Sequence, residues 1–442
     1  YVTEQLESAG YSVQIGNFDI ERDVWNSEPM VSTGGGEEWE YGEDFAPMSE
    51  MGSGEVTAPV TGVDLMIPPP DESGVLTSGC ESSDFSAFPA GHVALIQRGA
   101  CTFQEKVSNA VTAGAVAVLI FNEGQPGRRD LFGGTLDADV ENTVPVFSLS
   151  YAVGEVLAAL DEGTEVTVSA DFERMVMPTQ NVFADTSGDT DRVVVVGAHL
   201  DSVEAGPGIN DNGSGVAMIL EMALELSRQG FTPENQVRFA FWGGEELGLL
   251  GSMNYVFGMS ESDHSKVLAN LNFDMIASPN PARMVYDGDG SAFGDPGPAG
   301  SSGIEGIFSS WFEAQGQAYR ETPFDGRSDY GPFIWTGIPA GGLFTGAEQV
   351  KTPAETEVFG GVAGTAYDEC YHQYCDTIEN LDLDVLDEMA AAALESVNRL
   401  SAFEGSMGSD GPMAAPHRRS RAHALPDWIP SACGAHERTW RR

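Results

Sequence analysis

The chain has 442 residues, 41% of them hydrophobic, so it can build a sizeable core and wholesale disorder is excluded. Acidic residues outnumber basic ones 68 to 21, giving a formal net charge of -47 with only three lysines, Lys106, Lys266 and Lys351. This composition excludes a nucleic-acid partner, since phosphate binding needs clustered Lys and Arg. No uninterrupted apolar run approaches the roughly 18 residues of a membrane span. The chain starts at Tyr1 with no signal-peptide pattern and reads as a mature form or a fragment. The acid excess reads first as a solubility device, and adaptation to high salt, where screening removes self-repulsion, is the sharper alternative.

In chain order, YVTEQLESAG has a helix-like pattern ending at Gly10, and the strand-like VQIGNFDI follows. The loop-rich VSTGGGEEWEYGEDF reads as a connection. From about 55 to 170 short strands dominate, such as HVALIQRG and AVAVLIFN. Between them FQEKVSNAVTAG can put Phe103, Val107, Ala110 and Val111 on one helix face. This stretch reads as a small β-rich or α/β unit, with no clustered His, Asp and Glu at ligand-like spacing.

From about 180 to 403, strands and helices alternate. RVVVVGAHL, NQVRFAFWG, VLANLNFDMIA and RMVYDGDG read as strands. GVAMILEMALELSRQG, closed by Gly230, IEGIFSSWFEAQGQAY and LDVLDEMAAAALESVNRLSAF read as helices. Alternation of this kind implies an α/β fold, a mostly parallel sheet with helices on both faces. Its sites belong at the carboxyl ends of the strands. The chain after about 405 holds six arginines from Arg418 onward, has no periodicity, and reads as a disordered basic tail.

Polar groups collect at those strand ends. HLDS supplies His199 and Asp201, NDNGSG supplies Asp211, and GGEELG supplies Glu245 and Glu246 directly after an apolar strand. LNFDMIAS supplies Asp274, and CYHQYCDT supplies His372 and Asp376. Singly, Asp211 could be a helix cap and the paired glutamates a solvated face. All of them at one sheet edge is hard to explain by caps, because buried carboxylates without partners are costly and cations are scarce here. Metal is the natural counter-charge. Five nitrogen and oxygen ligands fit a pair of zinc ions, as in hydrolytic sites whose ions lie ~3.5–4 Å apart. The five cysteines form no CxxC pair, so a structural zinc site is not expected. Four of them could make two disulfides, which points to an oxidising compartment and leaves Cys433 unpaired.

The motifs HLDS, NDNGSG, GGEELGLLGS, NFDMI and YHQYCDT, in this order, resemble those of the co-catalytic two-zinc aminopeptidases, the secreted bacterial leucine-aminopeptidase-like zinc exopeptidases. The resemblance covers roughly residues 175–403, and the first 40 or so residues resemble the helix and strand with which related enzymes begin. It implies that His199 and Asp274 bind one zinc, that Glu246 and His372 bind the other, and that Asp211 bridges them. Glu245 would then be the general base, Asp201 would accept a hydrogen bond from His199 and fix its tautomer, and Tyr371 would donate to the oxyanion. Arg327, in FDGRSDYGPF, matches a substrate-pocket segment of the family, and Cys370–Cys375 would be a disulfide stiffening the His372 loop. GCESSDF and RGACTFQEKVSNAVTAGA resemble a protease-associated (PA) domain, which implies a Cys80–Cys101 disulfide and a substrate-guiding role without catalysis.

The resulting expectation is a peptidase domain in two pieces, 1–45 and 173–404, around an inserted PA domain at 46–172, with a tail at 405–442. The protein would be a secreted, monomeric aminopeptidase with two Zn2+ per chain, acting on the N-termini of peptides with an apolar first residue such as Leu. It would bind neither nucleic acid nor membrane. A glutamate carboxypeptidase-like enzyme is the runner-up, disfavoured because its pocket needs several arginines. A glutaminyl cyclase-like acyltransferase would use one zinc, and a receptor-like relative would have lost ligands or the base. A serine hydrolase would need a GxSxG elbow, which is absent.

Overall fold

The computed structural model describes residues 1–36, 38–70, 75–137, 140–405 and 407. The described residues form two compact units, Tyr1–Ile20 with Met177–Gly405, and Glu21–Val176. Strand β1 (Val13–Trp25) leads out of the first unit. Strands β2 (Met30–Thr33), β3 (Phe45–Pro47), β4 (Gly54–Val63), β5 (Val93–Gln97), β6 (Ala117–Phe121), β7 (Val146–Leu149) and β8 (Glu165–Ala170) belong to the second. Strand β9 (Phe172–Asp185) leads back, and β10 (Asp189–His199), β11 (Asn235–Trp242), β12 (Val267–Phe273), β13 (Met284–Tyr286), β14 (Arg320–Thr322) and β15 (Ala340–Phe344) complete the first.

The first unit is built on an eight-stranded sheet in the order β1-β9-β11-β10-β12-β15-β13-β14. The four central strands β11, β10, β12 and β15 are parallel. Strand β9 joins β11 antiparallel, and β13 joins β15 antiparallel. A run of β-branched residues suits such a strand, because both faces are covered. Val194 and Val196 of β10 pack with residues of the helices Gly215–Arg228, Ser301–Gln315 and Leu383–Ser401. Val193 and Val195 lie in the core of the opposite face with Val256, Tyr330 and Phe333. The fold is thus the expected α/β sheet between helical layers.

Strand β15 carries no recognisable strand signal, because IPAGGLF reads as a turn. Its glycines answer to packing instead. A Cβ at Gly341 would lie 2.4 Å from Ile304 Cγ2, and one at Gly342 would lie 1.9 Å from the Asn272 carbonyl oxygen.

The second unit contains a seven-stranded sheet, β2-β8-β4-β5-β6-β7-β3, with the helices Phe103–Thr112 and Tyr151–Ala158. Cys80 and Cys101 are joined in a disulfide. The expected boundary at residue 46 falls inside this unit. Strand β2 pairs with β8 and β3 with β7, and Val31 and Phe45 are buried in the unit's core. Strands of four and three residues are too short to show a period, so this passage reads as a connection in the sequence. Beyond residue 407, the expected basic tail lies outside the described residues.

Candidate metal centre

Three neighbouring parallel strands end together. His199 is the last residue of β10 and pairs in register with Trp242, the last of β11. Glu245 and Glu246 follow Trp242 by three and four residues, and Asp274 directly follows β12. Asp211 comes from the distorted turn Ile209–Ser214 that opens into the helix Gly215–Arg228. The turn folds tightly enough that a Cβ at Gly208 (φ +63) would lie 2.4 Å from Ser202 Cβ and 2.5 Å from the Asp211 carbonyl oxygen. The glycines of GPGINDNGSG are thus partly a demand of backbone approach.

His372 arrives from a separate loop, bracketed by the Cys370–Cys375 disulfide with its Cα atoms 5.2 Å apart. Its φ of +57 is one that non-glycine residues rarely adopt. The Tyr371 ring stacks on the His372 ring, centroids 3.8 Å apart.

The five residues converge in two groups that share Asp211. His199 Nε2 lies 3.2 Å from Asp211 Oδ1 and 3.3 Å from Asp274 Oδ1. His372 Nε2 lies 3.1 Å from Asp211 Oδ2 and 3.1 Å from Glu246 Oε2. Each group, His199–Asp211–Asp274 and Asp211–Glu246–His372, offers donor atoms within 4.8 Å of one another. His199 Nε2, Glu246 Oε1 and Asp274 Oδ1 are buried without a hydrogen-bond partner. Such atoms are costly to bury unless something else satisfies them, and imidazole with carboxylate is a donor set that suits zinc. The residues therefore fit a pair of metal ions.

The local electrostatics follow from packing acids and imidazoles out of water. Burial works to lower the His199 pKa, yet Asp274, Glu245 and Asp211 hold it well above the usual imidazole range. His372 is pushed up to about 10, with burial opposed by Asp211 and Glu246. Asp211 is held well below the carboxylate range: burial raises it, but His199 and His372 win. Burial pushes Glu245 well above its ordinary value, against the pull of His199. The Tyr371 hydroxyl is pushed far up by burial and by Asp211, which keeps its proton on.

Asp201 accepts from His199 as expected, but through its main chain and not its carboxylate. His199 Nδ1 is 2.9 Å from the Asp201 main-chain carbonyl, while the nearer carboxylate oxygen is 3.9 Å away. The Asp201 carboxylate instead accepts the main-chain N–H groups of Glu245 (3.0 Å) and Glu246 (3.1 Å). The adjacent N–H groups of the turn after β11 capture the carboxylate, since two neighbouring amides match its two oxygens.

Arg327 donates to Glu348 at 2.8 Å and approaches the Tyr371 hydroxyl at 3.4 Å, so it stands at this site rather than in a remote surface pair. Three neighbours had no assigned role in the sequence. Ser328 donates to Asp274 Oδ2 at 2.5 Å, Glu348 anchors Arg327, and Asp376 accepts from the Asp211 main chain. Asp376 and Ser328 lie in the segments CYHQYCDT and FDGRSDYGPF already singled out, though without a role, and Glu348 carried no signal beyond an acid in a loop.

Comparison with known proteins agrees with this architecture. Residues 181–397 match Peptidase family M28, and residues 56–157 match the PA domain. An aminopeptidase of Pseudomonas aeruginosa (strain UCBPP-PA14) is 45% identical over 393 residues, 88% of this chain and 72% of that protein. Leucine aminopeptidase 2 of Trichophyton equinum is 47% identical over 310 residues, 69% of this chain and 61% of that protein. Among solved structures, the aminopeptidase from Aneurinibacillus sp. strain AM-1 superposes with a TM-score of 0.67 at 26% identity, covering 92% of this chain and 88% of that one. BSAP, a zinc aminopeptidase from Bacillus subtilis, gives 0.61 at 25% identity, covering 92% and 89%. With the family match across the strands that carry the site, an inserted PA domain and a relative matched over most of its length, the chain belongs to peptidase family M28 and is a peptide-bond hydrolase.

Proposed function

We propose that the chain is a two-zinc aminopeptidase that removes an apolar N-terminal residue, such as Leu, from peptides. One observation carries the reading: the two oxygens of Asp211 face different histidines, with Asp274 beside one and Glu246 beside the other. A carboxylate so placed suits a bridge between ions. In this reading His199, Asp274 and Asp211 hold one zinc, and His372, Glu246 and Asp211 hold the other. The relatives named aminopeptidase, and the neighbour named a zinc aminopeptidase, support the same assignment. Bound zinc supplies Lewis acidity and makes water a nucleophile at neutral pH.

The chain's own groups do the rest. Glu245 lies close to His199 and Glu246 but outside the two groups that share Asp211, and burial makes its carboxylate proton-seeking, so it takes the proton from the attacking water and returns it to the leaving amine. Tyr371, kept protonated, donates its O–H to the developing oxyanion. Arg327, fixed by Glu348, holds positive charge beside that hydroxyl. Asp201 fixes the base and its neighbour by their main-chain N–H groups. The substrate's α-amine ordinarily titrates at about pH 7.7–8.0, so it is a cation over much of the neutral range, and the acidic site favours it. The two disulfides favour an oxidising, extracellular setting, and no helix among the described residues is long and apolar enough to cross a membrane.

A panel of aminoacyl chromogenic amides tests the reading. Leu amide is expected to be cleaved and its N-acetylated form left intact. Hydrolysis of N-acetylated peptides from the C-terminus would overturn the aminopeptidase assignment while leaving the metal centre standing.

A further inference from the structure

Asp376 is fully enclosed and sits four residues after His372, just past the Cys370–Cys375 bridge. Its carboxylate faces the turn that carries Asp211, not the metal cluster. Oδ1 accepts the main-chain N–H of Asn210 at 2.8 Å, and Oδ2 accepts that of Asp211 at 3.0 Å. Its own carbonyl accepts the N–H of Ile209 at 3.1 Å. Three successive N–H groups of one turn therefore end on a single residue of the other loop.

The neighbours reinforce this link. Asn380 donates through Nδ2 to Asp376 Oδ1 at 3.3 Å and to both oxygens of Asp368, at 2.9 and 3.1 Å. Asp368 in turn accepts the Asn210 side-chain amide at 2.7 Å and the N–H of Cys370 at 2.8 Å. Among the described residues, neither carboxylate is paired with a lysine or arginine. Their charge is satisfied by main-chain and carboxamide donors, which belong to the Asp211 turn, to the His372 loop and to Asn380 in the short helical turn Ile378–Asn380 that follows it.

We propose that Asp376 is a positioning residue for the metal centre: by gripping the main chain at Asp211, it sets where the shared carboxylate stands and ties it to the loop that delivers His372. The inference rests on reading Asp211 as the ligand common to both ions. A carboxylate bonded to two adjacent amides fixes the peptide plane between them. That plane carries the Asp211 Cα, and so the direction of a side chain whose two oxygens must meet two different histidines. Groups behind the ligands commonly change metal affinity by about 10–100-fold when removed.

The shared position of Asp211 gives the role a signature. If Asp376 acts through Asp211, both zinc-binding steps weaken together when it is altered. If it only stiffened the His372 loop, one step would weaken and the other would hold. The test is a zinc titration of the metal-stripped full chain against a chromogenic chelator, for the unmodified protein, Asp376→Asn and Asp376→Glu. Asn keeps one acceptor oxygen and puts an NH2 against the second amide. Glu keeps both acceptors, displaced by one methylene.

The expected result is two zinc ions on the unmodified chain, both steps weakened about 10–100-fold in Asp376→Asn, and both weakened less in Asp376→Glu. Asp376→Glu alone carries the test if Asp376→Asn does not fold. Unchanged titrations in the folded variants, or loss confined to one step, overturn the proposal. If the unmodified chain itself binds fewer than two ions, the shared-ligand reading falls and this proposal with it. If it binds two and the variants bind both ions with unchanged affinity, only the role of Asp376 falls.

Discussion

At the scale of single residues, Glu245 and Glu246 are adjacent in sequence, and Asp201 holds both by their N–H groups, yet their side chains meet different neighbours. The Glu246 carboxylate meets His372 at 3.1 Å, while the Glu245 carboxylate is buried and is raised by that burial. Replacing Glu245 with Gln is expected to leave both zinc ions bound and to lower kcat by about 10²–10⁴-fold, the usual worth of a positioned acid–base group. Replacing Glu246 with Gln is expected to weaken one zinc site. Zinc content and kcat on Leu amide, measured on both variants, check this; equal metal loss in the two would contradict the division. The place of His199, Glu245, Glu246 and Asp274 at strand ends was readable in the chain because each ends or follows an apolar run, whereas Asp211 and His372 come from a turn and a loop that only their motifs marked. The partner of Asp201 was not readable, since a carboxylate near a histidine and near two main-chain amides has a choice that only the path of the GGEE turn decides.

At the scale of elements, the long strands and helices announce themselves by period and by caps. Strand β10 has its four valines, and the helix Gly215–Arg228 has an apolar stripe that closes near Gly230. Strand β15 does not, although it lies between β12 and β13 in the sheet. Its glycines exist because the Ser301–Gln315 helix and β12 leave no room for a side chain, which is a tertiary demand with no local trace. Gly342→Ala is therefore expected to destabilise the peptidase unit by about 1–3 kcal/mol or more, the ordinary cost of overpacking, because the added carbon would press on main chain that cannot swing aside. Thermal melting checks it. Gly337→Ala, where no atom lies within 4 Å but φ is +85, provides a comparison in which any loss comes from the backbone alone.

At the scale of the whole molecule, the inserted unit was legible from its change of texture and its two cysteines, but its start was not. The first strands that join its sheet are three and four residues long, and only their pairing with β7 and β8 assigns them. The charge is a property of the entire chain. At -47, carboxylates repel one another across the surface, and salt relieves this within a screening length of about 10 Å at 0.1 M. The melting temperature is expected to rise as sodium chloride is increased from low concentration. A flat or falling response would show that the acids are already neutralised by their local partners. The central claim, two ions shared through Asp211, is tested most directly by stripping the full chain of metal and adding zinc back while following bound zinc and Leu amide hydrolysis together. Binding is predicted to saturate at two zinc ions per chain, with hydrolysis abolished on stripping and restored as the sites fill. Saturation at one ion per chain, or hydrolysis that survives complete removal of metal, would contradict it.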